Sequence, residues 1–145
     1  MNNLLRHTLA AALLLGSSTA ALAANDGQVY LNQLLGSGNE YREAWQDAIK
    51  GQERLPDWVI NLSGTAQQQM SATTEDGDKY LVGSLCESEQ TCSQKRLVAA
   101  FSWEEDDAYG LLVEAPAESS PTHDPRLRWI GDPDDGMKAM LKEQL

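Results

Sequence analysis

The chain has 145 residues, with 22 acidic against 11 basic side chains and a formal net charge of −11. Such a charge repels nucleic acid and anionic lipid surfaces and favours cationic partners; solubility alone would explain it equally well. The acids are spread along the chain, not gathered in a tail.

Residues 1–7 are polar and carry one fixed positive charge, Arg6. Residues 9–15 form an unbroken apolar run, Gly16, Ser17 and Ser18 loosen the chain, and Ala21 and Ala23 supply small residues where a signal peptidase reads. This order predicts a secretory signal peptide over 1–23, in preference to a buried N-terminal helix. The apolar run is too short to span a bilayer, which needs roughly 20 residues. No cysteine stands just after Ala23 to suggest a lipid anchor there, and no later segment is long and apolar enough for a membrane helix. What remains, residues 24–145, is a normal size for one domain with one modest core.

Residues 25–29 read as a loose start. Val29, Leu31, Leu34 and Leu35 open a first helix that Gly36-Ser37-Gly38 breaks. Asn39 is a fair N-cap for a second helix, in which Tyr41, Ala44, Trp45, Ala48 and Ile49 recur at helical spacing before Gly51. Pro56 ends any helix, and Trp58 and Val59 look like core anchors at the entry to a sheet. Residues 64–72 are polar and weakly patterned. Asp76-Gly77 predicts a hairpin turn, since both residues accept positive φ.

Residues 79–85 then read as a strand, with Tyr80, Val82 and Ser84 on one face and Leu81 and Leu85 on the other. Residues 96–103 give a second, carrying Leu97, Val98 and Phe101. The acidic run 104–107 is a turn, 109–114 a third strand, 115–125 a Pro- and Ser-rich loop, and 126–130 a fourth strand. Asp132 would cap a last helix, with Pro133 in its first position, Asp134 and Asp135 at its positive end, and an apolar stripe of Met137, Met140 and Leu141. The order predicts an α+β domain: a central antiparallel β-sheet with helices packed on one face.

Cys86 and Cys92 are the only cysteines. Outside the cytoplasm, two so close most often form a disulfide; a zinc site would need further ligands nearby, and a redox pair the tighter C-x-x-C spacing. The bridge would staple the hairpin connection between the first two strands. Either it fixes a loop in advance of a partner, so that less entropy is lost on binding, or it only shapes the hairpin end. Catalysis has little support. Beyond the leader the one histidine is His123, and Ser119, Ser120 and Asp124 lie too close along the chain to converge on it as a triad does. There is no Gly-rich phosphate loop and no metal-ligand cluster, so neither cofactor nor metal is expected. Acidic pairs such as Glu104 and Glu105 sit in charge runs, which read as solvated faces rather than a glycosidase pair.

Leu55-Pro56-Asp57-Trp58-Val59, Tyr80-Leu81-Val82-Gly83-Ser84-Leu85-Cys86, Cys92, Leu97-Val98-Ala99-Ala100-Phe101, Tyr109-Gly110-Leu111-Leu112-Val113 and Trp129-Ile130-Gly131, in this order, resemble the Ivy family, the periplasmic inhibitors of vertebrate lysozyme. The resemblance runs from about Tyr30 to the end of the chain. It implies the same sheet-and-helix fold and a disulfide-closed loop that plugs the active-site cleft of a c-type lysozyme; with no site constellation in the sequence, the chain is not expected to be an enzyme. The family's usual loop reads Cys-Lys-Pro-His-Asp-Cys, its histidine bonding to the enzyme's catalytic carboxylates.

Here the corresponding loop offers Glu87, Ser88, Glu89, Gln90 and Thr91, one residue more and no histidine, lysine or proline. A carboxylate brought against an ionised carboxylate is repelled; Ser88, Gln90 or Thr91 can donate hydrogen bonds instead. The resemblance therefore implies a periplasmic inhibitor of lysozyme or of related peptidoglycan-cleaving enzymes, such as lytic transglycosylases. The alternative is an Ivy-like binding module that has lost lysozyme inhibition and takes another periplasmic protein or a cell-wall fragment. Pairing into a homodimer is left open.

Overall fold

Asp76 and Gly77 both adopt positive φ, 51° and 83°, the backbone twist that joins two strands with a two-residue turn. On either side lie β1 (Ser71–Glu75) and β2 (Asp78–Cys86), paired from Glu75↔Asp78 to Ser71↔Val82. β3 (Lys95–Ser102), β4 (Ala108–Glu114) and β5 (Arg126–Ile130) continue an antiparallel meander, and the five strands lie in chain order across one sheet. Among the described residues four helices accompany them: α1 (Leu31–Ser37), α2 (Asn39–Ile49), α3 (Asp57–Ile60) and α4 (Asp135–Glu143). The computed structural model describes residues 29–104, 106–115 and 126–145. The expected signal peptide, the chain up to residue 28, Glu105 and the loop segment with Ser119, Ser120, His123 and Asp124 lie outside the described residues.

The α+β class and the central antiparallel sheet are as the sequence implies, but the sheet is covered on both faces. Leu81, Leu85, Leu97, Ala99, Phe101, Leu112 and Ile130 pack against α1, α2 and α3 through Leu31, Leu34, Trp45, Trp58 and Val59. Val82, Val98, Ala100 and Leu111 face the other way and are buried by Met137, Met140 and Leu141 of α4. Three helices thus share one face as expected, and the last crosses to the opposite one. The reason sits in β3, which is buried at every position from Leu97 to Ser102; a strand apolar on both sides requires cover on both.

Local differences have local causes. Gly36 and Ser37 continue α1, and the break falls at Gly38, which is extended (φ −173°) and precedes Asn39 as the cap of α2 without a side-chain bond. Pro56 starts a helix instead of ending one: it caps the four-residue α3, where its missing N–H costs nothing. Trp58 and Val59 are buried core anchors, but on α3 and not at the sheet. The Trp45 indole donates to the Val59 carbonyl at 3.0 Å and ties α2 to α3. Asp134, not Asp132, caps α4, accepting from the Met137 amide at 2.8 Å; Asp132 takes φ 58° in the turn before it.

Candidate functional site

β2 and β3 pair as far as Cys86↔Arg96, and the Glu87 amide donates to the Lys95 carbonyl at 3.4 Å. From that neck the chain must reverse through residues 88–94, and the Cys86–Cys92 disulfide closes the turn with its Cα atoms 4.8 Å apart. The turn carries its own bonds. The Thr91 amide donates to the Ser88 carbonyl at 3.2 Å, and the Gln94 and Lys95 amides both donate to the Thr91 carbonyl at 2.8 Å. Ser88 Oγ and Thr91 Oγ1 bond at 2.9 Å. The loop is therefore held by backbone and side-chain bonds as well as by sulfur.

The root is clamped from both sides. β1 ends its pairing at Val82, leaving the last residues of β2 with an open edge. Thr65 fills it: its amide donates to the Cys86 carbonyl at 2.8 Å and its carbonyl accepts from the Cys86 amide at 2.9 Å. The approach is so close that a Cβ on Gly64 would lie 2.0 Å from the Cys86 oxygen, so only glycine fits. Asn32 of α1 donates to the Gly64 carbonyl at 3.2 Å. Across the neck, the Ala115 amide donates to the Gln94 carbonyl at 2.7 Å.

The five loop candidates are brought together but not presented alike. Glu89 and Gln90 are exposed at the apex, while Glu87, Ser88 and Thr91 are half-buried. Glu87 turns back to Lys95, Oε2 to Nζ 3.3 Å, and receives Thr91 Oγ1 at 3.5 Å. Its charge is offset within the loop, though a pair this exposed contributes no more than about 1 kcal/mol to stability. What the apex offers outward is one carboxylate and one amide, groups that can bind. Among the described residues no group of three His, Cys, Asp or Glu could hold a metal ion. Sequence reasoning missed Gly64, Thr65 and Lys95. Lys95 was accessible from the hairpin register, since it stands opposite Glu87 at the neck; the lone glycine of a weakly patterned segment was the only trace of the clamp.

The opposite end of the sheet has a different character. The β1–β2 turn (Asp76), the β3–β4 turn (Glu104, Asp106, Asp107) and the β5–α4 connection (Asp132, Asp134) meet there, so acids spread in sequence are gathered in space. A cleft of about 150 Å³ is lined by Glu75, Asp78, Asp132 and Asp134 around Tyr80 and Tyr109, whose rings meet edge to face at 6.3 Å. Burial pushes the Tyr80 phenol up to about 12, with Tyr109 and then Asp78, Asp107 and Asp134 adding to the rise. Tyr109 is raised as well, by burial first and then by Asp107 and Asp134. Ser102 organises the acidic turn, its hydroxyl donating to Asp106 at 2.8 Å and accepting from the Asp106 and Asp107 amides.

Comparison with known proteins gives one consistent answer. The family described as Inhibitor of vertebrate lysozyme (Ivy) matches residues 40–145. An uncharacterized protein of Pseudomonas aeruginosa is 44% identical over 148 residues, covering 97% of this chain and 94% of its own length. A second protein of that organism, named Inhibitor of vertebrate lysozyme, is 32% identical over 142 residues, covering 94% and 91%. An uncharacterized Yersinia pestis protein is 33% identical over 109 residues, covering 72% and 70%. The family match takes in α2, the whole sheet, the disulfide-closed loop and α4, and the chain belongs to the Ivy family.

Proposed function

We propose that this chain is exported through a signal peptide over 1–23 and acts in the periplasm, as a single domain 24–145, to inhibit lysozyme or a related peptidoglycan-cleaving enzyme such as a lytic transglycosylase. The loop between Cys86 and Cys92 enters the active-site cleft of the target. The observation that carries this reading is the clamped, disulfide-closed loop: a recognition element already fixed in shape loses little conformational entropy when it docks. Gln90 at the apex supplies hydrogen bonds to the cleft, and Ser88 and Thr91, bonded to each other, hold the loop in shape for it. Glu87, compensated by Lys95, adds less repulsion than its formal charge suggests. The acidic end of the sheet draws a basic enzyme in and makes encounter salt-sensitive.

A second reading rests on Glu89. It is exposed at the apex, where a cleft with an ionised catalytic carboxylate would repel it. This favours an Ivy-like module whose loop has turned to another envelope protein or wall fragment. Titrating a basic c-type lysozyme with this chain, at low and at moderate salt, separates the two. Stoichiometric loss of muramidase activity that persists at moderate salt supports inhibition by the loop. Full residual activity, or inhibition confined to low salt, favours the second reading, and unaffected lytic transglycosylase activity as well would remove the first.

A further inference from the structure

α4 covers the second face of the sheet only in part. Toward the β5 edge it leaves Trp129 and Val113 half-exposed and Leu127 39% exposed, one of three large apolar side chains so open to solvent among the described residues. Lys138 and Lys142 both hang over the Trp129 ring, their Nζ atoms 5.5 Å and 5.7 Å from its centroid, within cation–π reach. Neither has a carboxylate partner among the described residues. Two like charges at i and i+4 work against a helix, and here both lysines point to the indole with no ion pair closer than 4 Å among the described residues. An indole and a leucine edged by two cations have the make-up of an interface centre with a charged rim.

We infer that Leu127, Trp129, Lys138 and Lys142 form a second docking surface, distinct from the disulfide loop, for a short acidic segment of a partner protein carrying an apolar side chain. The apolar side chain lies on Leu127 and Trp129, and flanking carboxylates meet the two lysines. The segment lies on the face and adds no strand to β5, because Gln52 already donates to the Trp129 carbonyl there and Arg128 bonds to Gln52 and Glu53. A segment is favoured over an extended polyanion by the charge layout. The patch runs from mid-sheet, where Trp129 faces Leu111, toward the loop end, where Leu127 faces Val113. Along the strands the acidic turns begin roughly 10 Å beyond Trp129, about a Debye length away, but Asp134 and Asp135 stand one helical turn before Lys138 and border that end of the patch. A short acidic segment seated toward Leu127 and Lys142 stays clear of those carboxylates, whereas a long polyanion or a charged membrane would meet them.

The test is two-dimensional NMR of the isotope-labelled chain titrated with a short synthetic peptide in which glutamates flank a central leucine. Saturable shifts at the Trp129 indole N–H and at Leu127, Lys138 and Lys142, with residues 87–91 unmoved, are expected. Lys138→Glu with Lys142→Glu should weaken the complex about tenfold, and Leu127→Ser by a similar factor. If reversal perturbs the helix C-terminus, the neutral pair Lys138→Gln and Lys142→Gln gives the same reading in milder form. No shifts, shifts located elsewhere, or affinity indifferent to the lysine charges would overturn the inference. Tighter binding to phosphatidylglycerol vesicles than to the peptide would overturn it too, reassigning the patch to an anionic surface.

Discussion

At one end of the sheet the chain spends its bonds on shape: a disulfide, a Ser88–Thr91 hydroxyl pair and the two Thr65–Cys86 bonds hold a loop whose apex is Glu89 and Gln90. At the other it gathers charge, with three turns carrying carboxylates around Tyr80 and Tyr109. The eight residues of β3 separate the two by roughly 25 Å, about three Debye lengths in physiological salt. On the proposed reading, the acidic field bears on a partner's approach and orientation, and the ordered loop supplies contact energy. Shape and charge can be altered independently because they lie at opposite ends.

Breaking the loop end should give the largest effects. Gly64→Val drives a side chain into the Cys86 carbonyl and separates two backbone hydrogen bonds. We expect a loss of about 2–3 kcal/mol, read from the denaturant midpoint, with faster amide exchange at Thr65 and Cys86. Replacing Cys86 and Cys92 by serine removes the short closed loop and costs about 2 kcal/mol in the chain-entropy picture. The hydrogen-bonded turn from Ser88 to Lys95 should nonetheless keep its NMR signature, because its bonds do not depend on the sulfurs.

The acidic end answers more weakly. Asp134→Ala deletes the α4 cap and should cost about 1 kcal/mol, visible in thermal denaturation and leaving the loop untouched. The tyrosines make stability depend on pH only in alkali. Tyr80 titrates near 12 in the folded chain against 10.0 in its ordinary state, so between those values the unfolded chain has given up a proton that the folded chain keeps. Stability is fully present below pH 10 and falls as pH rises toward 12. Tyr80→Phe should flatten that decline in a series of melting curves, and the phenolate absorbance of the parent chain should show a late-titrating tyrosine.

Much of the sheet was legible because its signals are local. Asp76-Gly77 marks a turn by its own backbone preference, and Leu81, Val82 and Leu85 sort to two faces by period alone. The second covered face was also written in the sequence, in the unbroken apolar run from Leu97 to Phe101, but that run specifies only that a cover exists and not that α4 supplies it. Asp132 and Asp134 compete for one cap, and a spacing of two residues does not reveal which carboxylate reaches an amide. β1 is a polar edge strand with no alternation to read. The disulfide followed from two nearby cysteines in a chain whose first residues predict export. Its clamp did not, because Thr65 acts through backbone atoms, and the pairing of Glu87 with Lys95 appears only once the register of β2 and β3 is known. The acidic end exists only through topology, which brings three turns far apart in sequence to the same place.

The most direct measurement is inhibition by a loop-replaced chain. Ser88, Glu89, Gln90 and Thr91 are changed to glycine, with Cys86, Cys92, Glu87 and Lys95 kept, and residual muramidase activity is compared with that under the parent chain. Inhibition by the parent that is lost in the replaced chain, while α4, the sheet and the acidic end keep their NMR signatures, is the predicted result. Inhibition of equal strength by both chains would contradict insertion of the loop and place the inhibitory contact elsewhere on the molecule.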